Sequence, residues 1–191
     1  MKLLKKHLKE TDKVVQITGY RNLDIGNSKE FVKKIREKLP QKTWIQFFDP
    51  SIIATWQHLF FAIVNAELSF KNGRNISKSI EMETLLYASA QHQINKAIKK
   101  IGIKTDSSDI AIVIVANEEE QIDEALLMIS RCLEKKPDEA VIEFSDKKHE
   151  NISKVFDISK KEIKAILKDD NIRNAIRDIV LERMALLSTR S

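Results

Sequence analysis

The sequence predicts an α/β protein: a central mixed or antiparallel sheet of about four strands, flanked by helices and followed by a helical C-terminal segment. Three observations predict it. Short β-branched and aromatic runs alternate with longer segments whose apolar residues recur every three to four positions. Residues 150–191 carry no strand signal. Only four Gly and three Pro occur in 191 residues, so regular elements should be long and turns few. The expected organisation is one domain over residues 1–191, with an α/β core at 1–146 and a helical extension at 147–191 packed on it.

Each element has its own signal. Val14, Val15, Ile17 and Tyr20 mark a short strand after a basic start. Ser28 is the expected cap of a helix over 29–39, with Phe31, Val32, Ile35 and Leu39 on its apolar side and Pro40 as its stop. The run 43–48, Thr-Trp-Ile-Gln-Phe-Phe, is strand-like. Asp49-Pro50 reads as a helix start, followed by a broadly apolar helix bearing Ile53, Trp56, Phe60, Ile63 and Leu68. Gly73, in the loop 71–77, suits the position just past that helix.

One long helix is expected over 80–101, with Met82, Leu86, Ala90, Ile94, Ala97 and Ile101 as its buried stripe and His92, Lys96 and Lys100 on another face. The unbroken apolar run 110–115 predicts a central strand covered on both faces. Asn117 should cap a helix running to about residue 135, whose Glu118, Glu119 and Glu120 favour a helix N-terminus. A last strand is expected at 140–144. A short helix over 159–167 and a terminal helix opened by Asp169-Asp170-Asn171 complete the chain.

Composition excludes several classes. With 42% hydrophobic and 32% charged residues the chain is neither disordered nor low-complexity. The single Cys132 excludes an internal disulfide framework and Cys-rich zinc sites, and fits a reducing compartment. Its expected role is that of a small buried hydrophobe. The basic start lacks a following apolar run, so no secretory signal is read, and the polar residues within 52–70 argue against a membrane span. A cytoplasmic location is expected, and the Asn-Ile-Ser triplets at Asn75 and Asn151 are not read as glycosylation sites.

Net charge is +5, unevenly spread: residues 1–40 hold eleven Lys/Arg against five Asp/Glu, whereas residues 81–160 hold eleven against sixteen. A basic N-terminal segment could meet phosphates or simply solvate the surface. Catalytic machinery is missing. The chain has no Walker-type loop, no dinucleotide fingerprint and no nucleophile elbow. His7, His58, His92 and His149 are scattered without metal-ligand spacing, and His58 is expected to be a satisfied core histidine. The glutamates at 118–120 suit the helix dipole better than a magnesium ion. An enzyme is not expected, nor a cofactor, nor a metal.

The loop residues Lys71, Arg74, Asn75 and Ser77 offer donors ahead of a helix face carrying His92, Gln93 and Lys96. Folded together they would form a small basic pocket suited to an unpaired, phosphate-linked nucleotide end. Spacing alone better fits a solvated helix face beside an ordinary turn.

At this helix the sequence resembles a known family. Asn75-Ile76-Ser77, Glu83, Leu85-Leu86-Tyr87-Ala88-Ser89, Gln93-Ile94, Ala97 and Gly102-Ile103 are similar to the pattern N-x-S, E-x-L-L-Y-x-S-G-x-R-Q-I, A, G-I of the PRPK-binding protein (TPRKB) family. That family supplies the small non-catalytic subunit of the KEOPS (EKC) complex. The resemblance continues through the strand at 110–115 and the C-terminal run 181–187. Ala90 stands where the family usually has Gly, which suggests a slightly less close backbone approach there. His92 stands where it usually has Arg, so an RNA contact there should be weaker or pH-sensitive.

The resemblance implies two partners: the atypical kinase/ATPase subunit of KEOPS, and tRNA gripped by its single-stranded CCA 3′ end. The complex makes threonylcarbamoyladenosine at adenosine 37 of tRNAs that read ANN codons. By carry-over, Asn75, Ser77, His92 and Gln93 belong near the RNA end, and Lys71, Arg74 and Lys96 join them by charge. Arg183, Met184 and Leu187 on the C-terminal helix are the candidate kinase contacts, with packing inside the protein as the equal alternative. A small-ligand-binding or regulatory α/β domain without an RNA role is the other reading.

Overall fold

The computed structural model describes residues 4–169 and 171–187; residues 1–3 of the basic start and Asp170 of the expected helix opening lie outside them. In chain order the elements are β1 (Leu4–Leu8), β2 (Lys13–Tyr20), α1 (Ser28–Arg36), β3 (Trp44–Phe48), α2 (Trp56–Lys71), α3 (Ile80–Ser89), α4 (Ile94–Ile101), β4 (Ile110–Ala116), α5 (Glu119–Leu133), α6 (Asp146–Val155), α7 (Lys160–Ile166) and α8 (Ile172–Ala185). Backbone proximity gathers them into two compact units. The first comprises Met1–Pro50 with Gly102–Val141, the second Ser51–Ile101 with Ile142–Ser191.

The first unit holds an antiparallel four-stranded sheet in the order β1-β2-β4-β3. All seven residues of β4 are buried between β2 and β3, as its apolar run predicts. Val14, Tyr20, Ile110, Ile112, Ile114, Ile45 and Phe47 share one face and pack with Ile35 of α1 and Ile122, Ala125 and Ile129 of α5. Gly19 is required by close packing: a Cβ there would sit 2.6 Å from the Ile110 carbonyl oxygen and 2.8 Å from Val141 Cβ.

The sheet differs from expectation at its ends. β1, which the sequence conceals behind three basic residues, is an edge strand, where lysines discourage pairing with other chains. Lys5 reaches Glu119 and Asp123 of α5 at 3.1 and 3.0 Å. The expected strand at 140–144 is absent. Glu139–Ile142 forms a 3-10 turn instead, because Asp138 accepts the Ala140 N–H at 2.9 Å and its own N–H donates to the Gly19 carbonyl. Val141 and Ile142 are buried as turn residues.

Helix starts also shift. Asn27, not Ser28, caps α1, accepting the N–H groups of Lys29 and Glu30. Asn117 is not the cap of α5; Glu118 holds that position, and Gln121 Oε1 accepts the N–H groups of both 117 and 118 at 3.1 Å. Asp49-Pro50 does not open α2. Pro50–Ile52 is a short 3-10 turn, and Ile53 precedes the helix. The cause lies in His58, whose Nδ1 accepts the Ala54 N–H at 3.3 Å and so stabilises an extended entry ending at Thr55.

The second unit is helical. α2 packs on α3 and α8, and α8 lies against α6 and α7. Ile176, Ile179, Val180 and Met184 turn the buried face of α8 inward. α6 is an added helix that the polar sequence 146–155 does not announce; Ser145 caps it and only Ile152 is buried. α7 matches expectation, with a reciprocal Ser159–Glu162 capping box.

The largest correction concerns the expected helix over 80–101. It breaks at Ala90, which adopts φ 51° and ψ 45°, and α4 begins only at Ile94. Gln91 N–H donates to the Leu86 carbonyl at 3.1 Å, the backbone signature of a left-handed helix end.

Candidate functional site

The helix break places the motif residues in three dimensions. Glu83, fully buried on the first turns of α3, accepts the N–H groups of Ile76 (3.0 and 3.1 Å) and Ser77 (2.7 Å). It pins the preceding loop onto the start of α3. Within that loop Asn75 Nδ2 donates to the Ser77 carbonyl, and the buried Ser77 Oγ donates to the Ser79 carbonyl. Further along, Leu85 and Leu86 are core, Tyr87 shares a 2.7 Å hydrogen bond with Ser69, and Ser89 Oγ donates to Leu86. Most identities of the motif, Ala97 and Ile103 included, therefore build the scaffold, whereas Asn75 and residues 92–96 are exposed.

Ending α3 at Ala90 frees carbonyls that need donors. His58 Nε2 meets the Ala88 carbonyl at 2.7 Å, and Lys100 Nζ donates to the Ser89 carbonyl at 2.8 Å. Both His58 ring nitrogens are thus used: Nδ1 accepts and Nε2–H donates. Burial lowers the His58 pKa to about 4, partly opposed by the Ala88 bond. Lys100 is half-buried, 4.1 Å from the Phe156 ring centroid, and burial followed by the nearby Arg183 charge lowers its pKa to about 8.

A pocket of about 300 Å³ opens beside the break. His92 and Lys100 line it together with Phe156, Arg183, Leu186 and Leu187. Arg183 donates to Glu162 at 2.8 Å and to the Asp157 carbonyl at 2.8 Å. Hydrogen bonds from Ser159, before the Arg183 charge, hold the Glu162 carboxyl below its ordinary range.

The sequence candidates divide accordingly. His92, Arg183 and Leu187 meet in this pocket, while Lys71, Arg74, Asn75 and Ser77 are not among its lining residues. Gln93 and Lys96 are exposed on the chain leading into and along α4. Met184 is fully buried and presents nothing to the surface. Sequence reasoning missed the loop-pinning role of Glu83 and the proximity of Lys100 to Arg183. The first could have been sought in the spacing of a carboxylate one turn inside a helix that follows Asn-x-Ser. The second depends on tertiary packing and had no local signal.

A family model described as "Kinase binding protein CGI-121" matches residues 22–188. The chain belongs to the CGI-121 family. The match bears out the resemblance carried by the helix motif. The "Regulatory protein Cgi121" of Methanocaldococcus jannaschii is 32% identical over 113 residues, covering 59% of this chain and 70% of that protein. In this CGI-121 chain the position where the motif pattern has Gly is Ala90. Its left-handed conformation favours Gly, and an L-residue there carries a strain of roughly 1–2 kcal/mol. Among the described residues no cluster of three or more His, Cys, Asp or Glu could hold a metal ion, and no helix is long and apolar enough to cross a membrane.

Proposed function

We propose that this chain is a non-catalytic regulatory subunit of a KEOPS-type complex in the cytoplasm. It binds the atypical kinase/ATPase subunit and recruits tRNA by the CCA 3′ end for threonylcarbamoyladenosine modification. Membership in a family named for kinase binding, and a relative named as a regulatory protein, support the first half. The observation that carries the second half is the group of exposed donors past the Ala90 break: His92, Gln93 and Lys96, beside the partly buried cations Lys100 and Arg183. Unpaired nucleotide ends offer phosphates and base edges to such groups without requiring a groove-reading element. Asn75 and the loop residues Lys71 and Arg74, pinned at the start of α3, are assigned to the RNA on charge and the motif alone, with Ser77 as an internal brace. The kinase is assigned to the end of α8 and the turn after it, through Arg183 and the 42%-exposed Leu186, with the buried Met184 and Leu187 anchoring that turn from within.

The test is charge reversal. His92→Glu and Lys96→Glu should each weaken tRNA binding about tenfold or more, roughly 1.4 kcal/mol, while leaving thermal stability and co-purification with the kinase unchanged. Wild-type tRNA affinity in both variants would remove this face from the reading.

A further inference from the structure

The first unit has a hollow of its own. A cavity of about 260 Å³ opens between α1, the loop 22–24 and the end of α5. Its apolar wall is Leu23, Phe31, Ile35 and Leu133. Ile35 belongs to the core, whereas Leu23, Phe31 and Leu133 lie partly exposed at its margin. Phe31 is held edge-on against Phe47, with 5.9 Å between ring centroids. Three lysines surround this wall. Lys34 and Lys135 line the cavity, and Lys38 Nζ reaches Cys132 Sγ at 3.6 Å. Asp24 is the carboxylate of the lining, and it forms no ion pair with any of the three among the described residues. Glu37, next to Lys38, is turned to Lys33 at 3.8 Å. Lysines at the ends of α1 and α5 suit the helix dipoles, but the dipoles do not account for an open apolar hollow among them.

Size and charge together limit the occupant. The volume lies at the low end for a cofactor or metabolite site, roughly 300–1,000 Å³, and is ample for one bulky side chain inserted from outside. Three cations around an apolar hollow complement an apolar anchor flanked by carboxylates. A nucleic acid backbone would meet the lysines and leave the hollow unfilled. We propose that this cleft docks a short acidic segment of a partner protein. One large apolar side chain, Leu or Phe, seats on Phe31 and Leu133, and the flanking Asp or Glu side chains reach Lys34, Lys38 and Lys135. None of these residues belongs to the surfaces assigned to the kinase or to RNA.

Three pentapeptides titrated into the full chain and followed by NMR provide the test: Glu-Asp-Phe-Asp-Glu, Glu-Asp-Ala-Asp-Glu and Lys-Lys-Phe-Lys-Lys. The first should perturb resonances of residues 22–24, 31–38 and 132–135. The second, which lacks the anchor, should bind about tenfold more weakly, and the third should leave the same resonances unmoved. The double variant Lys34→Glu/Lys135→Glu changes two exposed side chains, so its thermal stability should match the wild type. It should bind the first peptide about tenfold more weakly and gain affinity for the third. No perturbation by the first peptide at millimolar concentration, or perturbation confined to other residues, would overturn the proposal. So would equal affinity for the Phe and Ala peptides, which would leave charge attraction without a seated anchor, or unchanged affinity in the double variant. Single-stranded oligouridylate shifting the same residues while the acidic peptides stay silent would overturn it in favour of nucleic acid.

Discussion

Glu83→Ala is expected to lower the unfolding free energy by about 3 kcal/mol and to release the loop that carries Asn75. The buried carboxylate accepts two backbone N–H groups over three short contacts. Removing it leaves the buried Ser77 N–H without a partner at a cost of about 1–3 kcal/mol and loses the bonds from the N–H of the more exposed Ile76 as well. Glu83→Gln keeps one oxygen but turns an NH₂ toward the same donors, so roughly half the loss is expected. Urea unfolding measures the energy, and amide exchange at Ile76 and Ser77 reports the loop. A loss below about 1 kcal/mol with both amides still protected would show that the loop is held by other means.

Acid should unfold the protein in part through His58. Its folded pKa of about 4 lies below the ordinary histidine value of 6.5, so the unfolded chain binds the proton more readily between those limits. The sign follows: the contribution is complete above about pH 6.5, declines as pH falls toward 4, and levels off below. Two and a half pH units correspond to about 3 kcal/mol. The structural reason is that His58 is fully buried, edge-on to Phe156 at 5.7 Å, with Nδ1 already engaged as an acceptor from Ala54. Protonation would both charge a buried ring and break that bond. NMR titration of the imidazole should give a midpoint near 4, and a midpoint at 6 or above would contradict the packing described.

Much of the fold was legible because local pattern and tertiary role agree. The runs at 44–48 and 110–116 are strands because their β-branched and aromatic residues are buried, and the polar-apolar periodicity of 119–133 is the periodicity of its contact with the sheet. Legibility failed where tertiary contacts decide. Nothing in Leu-Lys-Lys-His-Leu marks a strand; pairing with β2 makes it one. Val141 and Ile142 look like strand residues, but Asp138 and the missing Cβ of Gly19 seat them as a turn.

Ala90 is the instructive case for the site. Alanine is the best helix former, so no local rule stops a helix there. The break is held from outside: His58 and Lys100 satisfy the carbonyls of Ala88 and Ser89 that a continuing helix would have used. The site itself was half legible. Charge and the family motif located His92, Gln93 and Lys96 on one stretch, and Arg183 and Leu187 on another, but only packing brings His92, Arg183 and Leu187 to one pocket. In the motif's Asn75-Ile76-Ser77 segment, Ser77 is buried and its N–H anchored by Glu83, while Asn75 and Ile76 stay exposed.

The most direct test of an RNA-recruiting subunit is the binding of the purified protein to full-length tRNA and to tRNA trimmed of its CCA end, at two salt concentrations. The account predicts clear loss of affinity on trimming, and a salt slope for the CCA-dependent part of about −0.7 per phosphate contacted. Equal binding to both tRNAs, falling in parallel with salt, would contradict it: the basic surface would then be attracting nucleic acid without reading its end.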